Sequence, residues 1–151
     1  MISTLELKQK QFILKNNYIG YLAYIYKNEP FIAPITYFFD EQKNHIICYS
    51  ANGHKINALR KNNATSLCVT TIDTVTDWKS ILVQGTFKQH FGSEAKALLH
   101  EFSLGIKDLI LKKENRDLDF INQFSSKIYK DEIPVVFTIK IEEISGRKRK
   151  F

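Results

Sequence analysis

The sequence predicts a small, mainly β protein: six largely antiparallel strands in a Greek-key-like barrel, flanked by helices. Three observations carry this. Runs rich in β-branched and aromatic residues recur along the chain, several joined by short polar turns. Helical periodicity is confined to a few segments, the clearest at Ser93–Lys113. The 151 residues contain no linker, repeat or low-complexity tract, so residues 1–151 read as one domain, long enough to bury a core.

In chain order, Ser3-Thr4-Leu5-Glu6 has the form of a capping box and opens a helix to about Asn16. Tyr18–Tyr26 is the first strand and Lys27–Pro30 its turn. Phe31–Phe39 is the second, interrupted by Pro34, which cannot donate to a ladder and so marks a bulge or an unpaired edge. After the polar turn Asp40–Asn44, His45–Tyr49 completes a meander. Gly53 breaks the pattern, and His54–Asn62 reads as a short helix with Ile56 and Leu59 inward. Ser66–Ile72 and Lys79–Lys88 are strands joined by a polar loop holding Asp77 and Trp78. In the helix Ser93–Lys113, residues Ala95, Leu98, Leu99, Phe102, Ile106, Leu109 and Ile110 recur at helical spacing. A second helical stretch covers about Asp117–Lys127, and Pro134 stops it. Val135–Ile144 is the last strand, with Val135, Phe137, Ile139 and Ile141 on its more apolar face.

Composition narrows the class. Hydrophobic residues make up 44% and charged residues 25%, a globular balance. No apolar run approaches the roughly 18 residues of a membrane span, and Met1–Glu6 lacks the features of a secretion signal. Cys48 and Cys68 each lie in an apolar stretch and read as free thiols in a reducing cytoplasm. Of the net charge of +6, four units sit at Arg147–Lys150, leaving +2 for the rest. Such a tail reads as a solvated end, and the chain lacks the motifs of nucleic-acid binders.

The informative stretch is Cys48-Tyr49-Ser50-Ala51-Asn52-Gly53-His54-Lys55-Ile56. A strand ends, a hydroxyl appears, glycine allows a tight turn, and a lysine opens a helix. Helix amides, the Ser50 hydroxyl and the Lys55 charge all suit an anion. The turn is not a Walker A loop. A plainer reading makes Ser50 and Asn52 helix caps and leaves Lys55 in solvent.

Gly20-Tyr21-Leu22, Pro30–Tyr37, Ser50–Lys55 and Trp78–Gly85 together resemble the pyridoxamine 5′-phosphate oxidase-like, FMN-binding split-barrel family, most nearly its nitroimidazole-resistance branch. The resemblance covers about residues 12–90, and Phe137–Gly146 is similar to the family's closing strand. It implies that Ser50 and Lys55 bind the FMN phosphate, with Asn52 and His54 in the same loop. It implies that the backbone of Pro34, Ile35, Thr36 and Tyr37 lines the flavin ring, and that Trp78 and Ser80 reach it, commonly from a second subunit, making a homodimer. Two departures stand out: Tyr49 replaces a histidine that many of the nitroimidazole-resistance relatives carry, and the Lys79 region lacks the Arg-Gln pair of true pyridoxamine phosphate oxidases. The end Ile144–Phe151 also lacks that enzyme's Arg-x-His pair, which predicts poor turnover of pyridoxamine 5′-phosphate.

No metal site is expected, because His45, His54, His90 and His100 show no ligand spacing. Ser50 has no triad partners. The expected function is therefore that of an FMN-dependent oxidoreductase acting on a small molecule with a reduced nicotinamide or another electron donor, with no catalytic acid or base assigned. The alternative is a non-catalytic flavin or haem binder, with His90 or His100 as the residue for haem.

Overall fold

A computed structural model describes residues 1–114 and 134–151. The helical stretch expected at 117–127 lies outside the described residues. The elements are β1 (Ile2–Thr4), α1 (Leu7–Lys15), β2 (Ile19–Tyr26), β3 (Glu29–Asp40), β4 (His45–Ser50), α2 (His54–Lys61), β5 (Ala64–Thr74), β6 (Asp77–His90), α3 (Gly92–Glu114) and β7 (Val135–Arg149).

All strand pairings are antiparallel, in the order β1-β7-β4-β3-β2-β5-β6, and β6 also pairs with β7. That last pairing closes β2–β7 into a six-stranded ring, with β1 appended to the far end of β7. Because β5 returns beside β2 after the β2-β3-β4 meander, the order is Greek-key-like. The β2–β3 hairpin turns on Lys27 and Asn28, both at positive φ (50° and 62°), as a two-residue loop of this hand requires. At the β3–β4 turn, the Asp40 carboxylate accepts the amides of Gln42 (3.1 Å) and Lys43 (3.3 Å).

The ring interior is filled by alternate residues of each strand, among them Leu22, Tyr37, Cys48, Leu67, Ile81 and Phe137. Helix α1 inserts Ile13 and Leu14 at the end near Gly146, and α2 inserts Ile56 and Leu59 at the end near Tyr24 and Tyr26. Helix α3 lies outside the ring, packing Leu98, Leu99, Phe102, Ile106 and Ile110 on Ile47 and Val136. The approach is close: a Cβ on Gly105 would stand 2.1 Å from the Phe38 ring.

Several expectations change. Ser3 and Thr4 belong to a strand, because their backbones pair with Lys148 and Arg147; α1 starts later, with the Glu6 amide donating to Gln9 Oε1 at 3.0 Å. Asp77 and Trp78 open β6, with Trp78 paired to Ile72 and Arg149. Residues 135–139 are buried on both faces, since α3 covers the outer one. The basic segment Arg147–Arg149 is not a loose tail: it is held between β1 and β6.

Candidate functional site

The β3–β4 ladder runs only from Asp40↔His45 to Tyr37↔Cys48. Beyond it the two strands part. Residues 29–36 of β3 pair with β2 alone, while Tyr49 and Ser50 pair with β7 alone. The ring is thus split, with a free backbone edge at Pro34–Thr36 facing the end of β4. Pro34 stands in register with Tyr21. It causes no bulge there, and its missing N–H falls on an edge where no partner waits.

Side chains alternate across this edge. Ile35 and Tyr37 point into the ring, where Tyr37 is fully buried and donates to the Leu14 carbonyl at 2.7 Å. Burial raises the Tyr37 phenol far above its ordinary pKa. Neither side chain is presented at the edge, and the Tyr37 amide is donated to the Tyr18 carbonyl at 2.8 Å. Pro34 and Thr36 face outward.

The turn after β4 lies beside this split. The capping reading fails: Gly53 occupies the N-cap of α2 and no side chain caps it. Ser50 Oγ donates to the Ala51 carbonyl at 3.2 Å, and Asn52 Oδ1 accepts from Arg60 Nη1 at 3.2 Å. Lys55 is half-buried. Burial lowers its pKa, with the neighbouring Cys48 thiol opposing, while burial drives that thiol's own pKa far up. Among the described residues, the Lys55 ammonium has neither a hydrogen-bond nor an ion-pair partner. A partly desolvated cation without a counter-charge favours an arriving anion.

His54 is placed differently from the expectation. Its ring is packed among Tyr24, Tyr26 (4.7 Å between centroids) and Phe31 (4.9 Å), with Nδ1 3.1 Å from the Tyr24 hydroxyl. It pins the start of α2 to the β2–β3 hairpin. The sequence does carry a signal for this box, because aromatics at 24, 26 and 31 fall together across a two-residue turn. Arg60, which holds Asn52 and donates from Nε to Gln89 Oε1 at 2.8 Å, gave no such signal.

Within one chain Trp78 and Ser80 do not join the turn. They pair with Arg149 and Arg147, whereas Ser50 pairs with Val135 at the other end of β7. They lie instead on the outward side of the sheet. There Pro34, Tyr21, Cys68 and Leu82 form one cross-strand row, with Ile19 and Ile32 beside it. None of α1–α3 covers this apolar face, and Ile32 is 71% and Tyr21 48% exposed.

Among the described residues no group of three or more His, Cys, Asp or Glu side chains is placed to hold a metal ion. His90 contacts Glu94 through Nδ1 and Thr138 Oγ1 through Nε2 at 2.8 Å. His45 lies 3.6 Å from Asp40, and burial lowers its pKa. His100 is on the exposed side of α3.

Fold and site together define a split antiparallel barrel with an anion-suited turn at its opening. The family model described as pyridoxamine 5′-phosphate oxidase matches residues 10–148, and the chain belongs to that family. Among solved structures, the chain is similar to a FAD-binding protein of Mesorhizobium loti, with a TM-score of 0.76, 22% identity, and coverage of 100% of this chain and 98% of that one. It is similar to a Bacteroides thetaiotaomicron protein whose proposed role is 5-nitroimidazole antibiotic resistance, with a TM-score of 0.66 and 12% identity, covering 98% and 89%. It is also similar to a haem-binding protein of Mycobacterium smegmatis, with a TM-score of 0.66 and 13% identity, covering 90% and 51%. At these identities the likenesses establish the fold.

Proposed function

We propose that the chain is an FMN-binding flavoprotein, working as a homodimer to reduce a small molecule at the expense of a reduced nicotinamide or similar donor. The observation that carries this reading is the unpartnered, half-buried Lys55 beside the split between β3 and β4. FMN is favoured over FAD because the turn offers a single phosphate site and the sequence has no dinucleotide fingerprint. When bound, FMN supplies the hydride chemistry. The chain's own residues do the holding. Lys55 and Ser50 grip the phosphate, Asn52 and His54 shape the loop, and the Pro34–Tyr37 backbone meets the ring edge. The outward apolar face around Tyr21, Ile32 and Leu82 supports pairing with a second copy, which carries its own Trp78 and Ser80 to the flavin. Of the two histidines considered for haem, His90 has both nitrogens engaged, which counts against it, while His100 stands exposed on α3.

Among the described residues no helix is long and apolar enough to cross a membrane. Free Cys48 and Cys68 suit a reducing cytoplasm, which we assign as its location. The test is denaturing release of cofactor from purified protein, identified by mass. FMN is the expected product; FAD, haem or no uptake on reconstitution overturns the assignment.

A further inference from the structure

On the β7 side of the Ser50–Lys55 turn, away from the split, lies a cavity of about 580 Å³. It is walled by the start of α3, the end of β6 and the beginning of β7, with Phe91, Ala95, Leu99 and Val135 supplying apolar surface. Its volume is that of a small-ligand site. The lining cations are Arg60 and Lys96. Neither forms an ion pair among the described residues. The carboxylate in the first turn of α3, Glu94, is held by His90 and does not line the cavity.

Arg60 is oriented by neutral groups only. Nε donates to Gln89 Oε1 (2.8 Å), and Nη1 to Asn52 Oδ1 (3.2 Å) and Asn57 Oδ1 (3.4 Å). Amides fix the plane of the guanidinium and leave its charge intact. Nη2 makes no hydrogen bond among these, so its two N–H donors remain for a ligand. A charged, pre-oriented fork at the lip of an apolar cavity selects an anion attached to a hydrocarbon body.

We propose that this cavity binds a small organic carboxylate, its oxygens on Arg60 Nη2 and Lys96 and its apolar body against Phe91, Leu99 and Val135. The cavity shares Asn52 with the loop assigned to FMN, but its carboxylate contacts, Arg60 and Lys96, lie outside that assignment, so the proposal does not depend on FMN binding. The two sites nevertheless meet at this turn, because Arg60 holds Asn52.

The test uses three probes on the full chain without added flavin: 3-phenylpropanoate, the neutral 3-phenylpropanol, and acetate. Binding is followed by ¹⁵N resonances of the Arg60 side chain and the Gly92 amide. The expected result is saturable binding of 3-phenylpropanoate with a Kd of about 1 mM or tighter, and at least roughly tenfold weaker binding of the other two, equivalent to about 1.4 kcal/mol. Lys96→Glu, an exposed change, weakens 3-phenylpropanoate by a similar factor, and Ala95→Phe weakens it by putting a ring where the apolar body of the probe would lie. Equal affinity for the alcohol would reduce the cavity to an apolar groove and overturn the proposal. Equal affinity for acetate, or no saturation, would leave only surface cations and overturn it as well. Should Ala95→Phe fail to fold, Lys96→Glu decides.

Discussion

Lys55 concentrates the functional argument in one ammonium group, half-buried beside Cys48 and unpaired among the described residues. If it grips a phosphate, Lys55→Ala loses a charge-assisted contact of about 1.5–3 kcal/mol, or roughly 10- to 150-fold in FMN affinity. Lys148→Ala, out on β7, leaves affinity unchanged; fluorescence titration compares the two. The same charge weakens the empty protein. Burial holds its pKa below 10.5, so the unfolded chain binds more protons than the native one between the lowered value and 10.5. Native stability therefore rises with pH through that window. Lys55→Met is expected to raise the melting temperature of the flavin-free protein at neutral pH and to flatten that rise, while binding FMN poorly. A lower melting temperature at neutral pH would mean that Lys55 has an internal partner.

Helix α3 shows what sequence conveys at the scale of an element. Its apolar stripe at Leu98, Leu99, Phe102, Ile106 and Ile110 is legible from spacing, and all five are buried. Gly105 is not legible, since only the packed structure brings the Phe38 ring against it. Gly105→Ala gains helix propensity but must displace that ring, so a net loss of about 1–3 kcal/mol is expected from urea unfolding. The same limit explains the other differences. Arg147–Arg149 carry charge, so composition reads them as solvated, yet their backbones are claimed by β1 and β6. Ser3 and Thr4 have capping chemistry, but pairing with β7 draws them into a strand. At the turn, residue types suggested an anion site, while the absence of a side-chain cap on α2 and the aromatic packing of His54 depend on contacts distant in sequence.

Among the described residues, the helices close both ends of the ring and one outer side, and none of α1–α3 covers the row Pro34-Tyr21-Cys68-Leu82. In the dimer we propose, a second copy laid there would bury Tyr21, Ile32 and Leu82 and bring its Trp78 and Ser80 to the flavin. Ile32→Glu is expected to turn a dimer into a monomer in sedimentation at micromolar concentration and to weaken FMN retention with it. A wild-type monomer holding FMN fully would remove Trp78 and Ser80 from the site. The most direct measurement is calorimetric titration of flavin-free protein with FMN and with riboflavin, which differ only in the phosphate. If the Ser50–Lys55 turn is the phosphate site, FMN binds at least roughly tenfold tighter than riboflavin, the margin expected for one charge-assisted contact. Equal affinities for the two flavins, or no binding of either, would contradict it.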